Sequence, residues 1–205
     1  MIRAAFVAAL LLAAPALAHA QGRPQIPPPN YNPAQAAAGA YAIDPHHTTV
    51  QARVRHMGLS WSTFRFLGVS GNVTVDPARP TASNVDVTVD ARTIQTFSRE
   101  FETELQGDHF LHAAADPNIR FVSRSAVATD ATHGRLTGDL TFRGVTRPAT
   151  MEVEFLGANA GMGGHPRIAF HGEMTINPVE FGLTAFQNAY SPTIVIVADV
   201  EAQKS

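Results

Sequence analysis

From Tyr41 onward, apolar and polar residues alternate with a period of two. Val50, Ala52, Val54 and His56 fall on one face of a strand, and Gln51, Arg53 and Arg55 on the other. The same alternation recurs at 69–75, 85–90, 119–124, 136–142, 151–155, 168–176 and 194–201. Each stretch predicts a half-buried antiparallel strand with one dry face and one wet face. Eight such strands need a closed solution, either two stacked sheets or one sheet curled into a barrel. Turn residues around Gly134 and Gly144 favour adjacent hairpins and an up-and-down order. Gly71, Gly138 and Gly172 suit the sharp bends of a barrel wall. The expected fold is all-β, an extended eight-stranded antiparallel barrel.

One segment breaks the alternation. Ser98 to Gly107 reads as a short helix, with Ser98 as its cap, Glu100 and Glu102 in the first turn and Gly107 at its end. Phe97, Phe101 and Leu105 recur every four residues as one apolar stripe. Such a helix in an all-β chain serves as a lid or plug.

The first forty residues are read apart from the fold. Arg3, the apolar run Ala4 to Leu12 and the Ala18-His19-Ala20 triplet make residues 1–20 a signal peptide cleaved after Ala20. The expected location is therefore periplasmic or secreted. Residues 21–40 are a Pro/Ala-rich flexible tail, with Pro24, Pro27, Pro28, Pro29 and Pro33 favouring extended backbone. The barrel domain is assigned to 41–202.

Composition narrows the chemistry. The 205 residues hold no cysteine, which excludes disulfides, thiolate metal sites and a Cys nucleophile. A formal charge of −2 speaks against nucleic-acid binding. The inward positions carry Val, Ile, Leu, Met, Phe and Ala, with His56 and Ser123 as their polar members and no charged residue. A hydrolytic site needs paired carboxylates, a nucleophile with its base, or a metal cluster, and no face collects one. Small inward residues such as Ala52 and Ala198 leave room. An eight-stranded barrel either fills its interior or holds one small ligand, and the pattern leaves both open. If the interior is vacant, it suits a hydrophobic molecule.

Candidate ligand contacts come from the strands (Val54, His56, Phe66, Val87, Phe121, Leu140, Phe142, Phe155, Phe170, Ile196), from the helix and its exit (Phe101, Phe110) and from two aromatics, Trp61 and Phe186. The competing signal is histidine. His109-x-x-His112 could chelate a metal if helical, but Phe110-Leu111 intervene and no H-E-x-x-H arrangement exists. His46 and His47 point to opposite sides of a strand. No metal ligand and no catalytic residue is assigned, and a histidine-based metal protein or metal-dependent enzyme stands as the alternative.

Several stretches resemble one family. Tyr41-Ala42-Ile43-Asp44-Pro45-His46-His47-Thr48-Thr49-Val50 with Val54-Arg55-His56-Met57-Gly58, Asp116-Pro117-Asn118-Ile119-Arg120-Phe121, Phe181-Gly182-Leu183, and above all Leu136-Thr137-Gly138-Asp139-Leu140-Thr141-Phe142-Arg143-Gly144-Val145-Thr146-Arg147-Pro148 are similar to the YceI-like proteins. The resemblance implies a lipocalin-like barrel in the periplasm, holding a long amphiphile of polyisoprenoid or isoprenoid-quinone type. It implies no catalysis, no other cofactor and a link to stress response. The implied partners are that ligand and, transiently, the inner membrane or a protein in it; monomer and dimer stay open. The chain departs from the family where an Arg-Asp-x-His-Leu run is usual and Phe101-Glu102-Thr103-Glu104-Leu105 stands instead. With Glu100, this makes the helix acidic, which disfavours an anionic head group and leaves a neutral one less affected.

Overall fold

The computed structural model describes residues 27–185 and 192–205. Eleven strands form one antiparallel sheet that closes on itself: β1 Gly39–Ile43, β2 Thr49–His56, β3 Ser60–Phe66, β4 Val69–Val75, β5 Asn84–Asp90, β6 Ile94–Gln95, β7 Asn118–Ala128, β8 His133–Phe142, β9 Val145–Asn159, β10 Arg167–Ile176 and β11 Ile194–Lys204. Several are segments of one longer strand. β1 and β2 both pair with β11, Tyr41 opposite Lys204 and Thr49 opposite Asp199. β3 and β4 follow them in line, pairing with β2 and β1. Counted this way the wall has eight strands in up-and-down order, as the alternation predicts. The seam is β1 on β11.

Turn chemistry sets the hairpins. Arg143 and Gly144 both have positive φ, 53° and 71°, the two-residue turn whose twist matches paired strands. Gly138 and Gly71 are needed for close approach. A Cβ on Gly138 would lie 2.2 Å from the Val122 carbonyl oxygen, and one on Gly71 2.1 Å from that of Asp86. At Gly172 the nearest atom would be the flexible Met151 Sδ, so that glycine only opens space.

The α-helix α1, Arg99–Gln106, lies between β6 and β7. The Ser98 hydroxyl accepts from the Phe101 N–H at 3.2 Å, and the Glu102 carboxylate accepts from the Thr96 N–H at 2.9 Å, so the first turn is capped from both directions. Leu105 is buried against Ile94 and Phe66 and plugs one end of the barrel.

Residues 27–40 depart from the expected free tail. Asn30 exchanges both backbone hydrogen bonds with Ala158, at 2.7 and 2.9 Å. Asn32 caps a 3₁₀ turn at Pro33–Gln35. Ala36 is buried with Tyr41, Phe155 and Ile168. The Tyr41 hydroxyl donates to the Ala37 carbonyl at 2.5 Å. Prolines that stiffen the chain lower the entropy lost on docking, so a short segment with one buried alanine can bind. The signal-peptide reading falls on residues outside those described.

A polar clasp spans the break between β1 and β2. The Arg167 guanidinium donates to Asp44 at 2.7 Å, to Gln203 at 3.1 Å and to Glu201. Asp44 is held well below the usual carboxylate range, first by the His47 ring and then by Arg167. A depressed native pKa gives stability that is present above the unfolded value, about 4, and lost as pH falls through the native value. Arg167→Met leaves two carboxylates facing each other. It is expected to cost about 2 kcal/mol at neutral pH and to raise the midpoint of acid unfolding followed by circular dichroism. An unchanged midpoint would show that the clasp contributes nothing.

Candidate ligand cavity

The inward faces do not fill the barrel. A cavity of about 660 Å³ runs along its axis, within the range of small-molecule sites, roughly 300–1,000 Å³. Its wall is built by period-two positions: Val50, Ala52 and Val54 on β2, Phe64 and Phe66 on β3, Val85, Val87 and Val89 on β5, Ile119 and Phe121 on β7. Leu136, Leu140 and Phe142 on β8, Met151, Val153 and Phe155 on β9, Phe170, Met174 and Ile176 on β10, and Ile194, Ile196 and Ala198 on β11 complete it. Leu105, Phe110 and Leu111 close the helix end. At the opposite end the lining turns polar, with Asn32, Asp76, Ser83, Asn84, Asp130 and Thr132.

Asp130 is the best-defined charge of that rim. The backbone N–H groups of Thr132 and His133, followed by the His133 ring, lower its pKa to about 2. It is a carboxylate at neutral pH. Thr132, His133 and Asp130 do not form a catalytic relay. Both Thr132 Oγ1, at 3.3 Å, and Asp130 Oδ1, at 3.0 Å, meet the same ring nitrogen, Nδ1, whereas a relay uses one nitrogen for each partner.

Ten of the sequence-derived contacts are lined up on the cavity: Val54, Phe66, Val87, Phe110, Phe121, Leu140, Phe142, Phe155, Phe170 and Ile196. Three are placed elsewhere. His56 is exposed, not on a dry face, because the β2–β3 hairpin runs past the start of β11, where there is no interior to face. Trp61 points outward opposite Arg55. Phe101 does not reach the lining; it packs against the buried cluster at the helix end, its ring 6.0 Å from that of Phe64. Phe186 lies outside the described residues. Phe64 was a readable contact: it is two residues from Phe66 and thus on the same face.

The histidine alternative gains no site among the described residues. His109-x-x-His112 is a turn, with His112 at φ 56°. His109 is exposed, while His112 is held by Asp116 at 2.9 Å. Among the described residues, the group close enough to share an ion is Asp44, His47 and Glu201, and both of its carboxylates already bind the Arg167 guanidinium. An ion there would have to displace a bonded cation.

The fold and the sequence agree on ancestry. Residues 41–202 match the YceI-like domain. The chain belongs to the YceI-like family. Protein YceI of Salmonella arizonae is 32% identical over 168 residues, covering 81% of this chain and 87% of that protein. Among solved structures, Burkholderia cenocepacia BcnA superposes with a TM-score of 0.71 at 20% identity, over 78% of this chain and 99% of BcnA. A polyisoprenoid binding domain from Saccharophagus degradans superposes with a TM-score of 0.62 at 14% identity, over 82% and 99%. At such identities these two neighbours bear on the fold. The YceI-like motif at Leu136–Pro148 maps onto β8, the Arg143-Gly144 turn and the start of β9, so its glycines serve strand approach and turn geometry.

Proposed function

We propose that this YceI-like protein is an exported carrier or store for a long hydrophobic amphiphile of polyisoprenoid or isoprenoid-quinone type, held in the barrel without catalysis. The observation that carries the reading is the continuous apolar cavity of about 660 Å³ between a plugged end and a polar rim. Each CH₂-sized group buried there contributes about 0.8 kcal/mol, so affinity grows with chain length. The same fold serves as a polyisoprenoid binding domain in Saccharophagus degradans.

The head group is neutral in this reading. The rim carries the Asp130 and Asp76 carboxylates against one guanidinium, Arg135, which is paired with Glu152. The helix at the other end carries Glu100, Glu102 and Glu104. A phosphate meets net like charge at the rim and on the helix surface. A quinone ring or an alcohol meets hydrogen-bonding side chains instead, among them Asn84, Ser83 and Thr132.

Protein purified from its native host is expected to release a neutral isoprenoid on organic extraction, near one per chain, identified by mass spectrometry. An extract free of amphiphile overturns the carrier reading; a phosphorylated lipid overturns the neutral head.

A further inference from the structure

The β2–β3 hairpin is more than barrel wall. Its tip exposes Met57 (67%), Leu59 (75%) and Trp61 (40%), and beside it Phe97 is 87% exposed. These are large apolar side chains gathered at one end of the molecule. The hairpin is also basic, within an acidic protein. Residues 49–66 hold Arg53, Arg55 and Arg65 and no Asp or Glu, although the chain carries −2. Arg53 and Arg55 lie over the Trp61 ring at 4.8 and 4.4 Å, and Arg55 donates to the Leu59 carbonyl at 2.8 Å. Cations and apolar side chains are thus interleaved on one surface.

This surface connects to the cavity. The Phe97 ring stacks on Phe101 at 5.3 Å, and Phe101 meets Phe64 at 6.0 Å. Phe64 lines the interior. A run of aromatic carbon therefore leads from the most exposed phenylalanine to the inside of the barrel.

We propose that the hairpin tip and Phe97 dock the protein on an anionic phospholipid bilayer. The proposal rests on the carrier reading only for its purpose; the docking is measurable with the barrel empty. The observation that selects a bilayer over a protein groove is the pairing of guanidinium groups with Trp, Met and Leu on a protruding tip. Such a tip sets cations at the head groups and apolar side chains just below them. Glu100 and Glu104 on α1 and Asp108 beyond it are exposed. They oppose contact on the helix side, so the hairpin side faces the membrane.

Trp61 is the sole tryptophan, so its emission reports the proposed contact directly. Delipidated mature protein, residues 21–205, is mixed with vesicles of phosphatidylethanolamine and phosphatidylglycerol, or of phosphatidylcholine alone. Emission is expected to shift to the blue, and protein to float with the vesicles, only for the anionic mixture and less at high salt. R53Q/R55Q is expected to lower partitioning about 25-fold, near fivefold for each arginine. Met57→Asn with Leu59→Ser is expected to abolish it. The Asn suits the positive φ of position 57, and circular dichroism checks that both variants stay folded. No flotation of the wild type, or variants that float equally well, overturns the proposal. So does a blue shift that grows with protein concentration without vesicles, which would make this face a contact between two copies. A protein that extracts with amphiphile yet ignores vesicles keeps the carrier reading and loses this one.

Discussion

Replacing Ala52 with phenylalanine is expected to empty the barrel while leaving it folded. Ala52 faces Phe64 on β3 and Ile196 on β11, and all three line the cavity. The added ring projects into vacant space, so it meets little of the strain that overpacking brings to a filled core. It occupies the room of roughly five CH₂ groups of ligand, worth about 0.8 kcal/mol each, or about 4 kcal/mol in all. That corresponds to roughly a thousandfold in affinity. Native mass spectrometry should show the amphiphile lost, and thermal unfolding of the emptied protein should be unchanged or improved. Full loading of the variant would place the ligand outside the barrel. Phe121 and Phe142 are poorer sites for this test, although they line the same cavity. Both are buried in the hydrophobic cluster of β7, β8 and β10, so a charge there would unfold the wall along with the site.

Gly138→Val is expected to be the most damaging single change to the fold. Its Cβ would lie 2.2 Å from the Val122 oxygen and 2.7 Å from the Ser123 Cα, both backbone atoms of the adjacent strand. They cannot retreat without opening the β7–β8 ladder beside its bulge at Ser123 and Ser125. A loss of about 3 kcal/mol or more follows, a large share of a typical total of roughly 5–15 kcal/mol. Gly172→Ala is the comparison, because its new Cβ meets only the Met151 side chain. It should cost about 1 kcal/mol or less in urea unfolding. Equal losses would show that the short approach at Gly138 is relieved by backbone movement.

The wall was legible in the sequence because one property, period-two burial, decides it. Most strands alternate, and the wet faces carry the Arg and Asp pairs that the structure joins across strands, such as Arg120 with Asp86 at 2.6 Å. The helix was legible through its cap and its four-residue stripe. What alternation cannot give is where a strand leaves the barrel. His56 keeps the parity of Val54 but lies past the start of β11, so parity no longer means inside. Nor does alternation survive a bulge. At Ser123 the Oγ accepts the Val85 N–H at 2.8 Å, and beyond it Ala126 is the buried residue on β7. Trp61 was a different failure. It is aromatic, but Phe64 and Phe66 define the inward parity of β3 and Trp61 has the opposite one. The docked segment at Asn30 to Ala36 was hidden because its anchors are backbone hydrogen bonds, which composition does not reveal.

The seam also governs when the chain can fold. It joins Tyr41 to Lys204, so its two strands are separated by almost the full length of the domain. Contacts that distant are the last to form and the slowest, since loop-closure entropy must be overcome before they contribute. Until β11 arrives, the apolar inner faces of seven strands have no closed interior to occupy. Without cysteines, no covalent cross-link can hold a partial barrel together in the meantime. Barrel closure is therefore a single late event, and the open sheet that precedes it is the form most prone to aggregate.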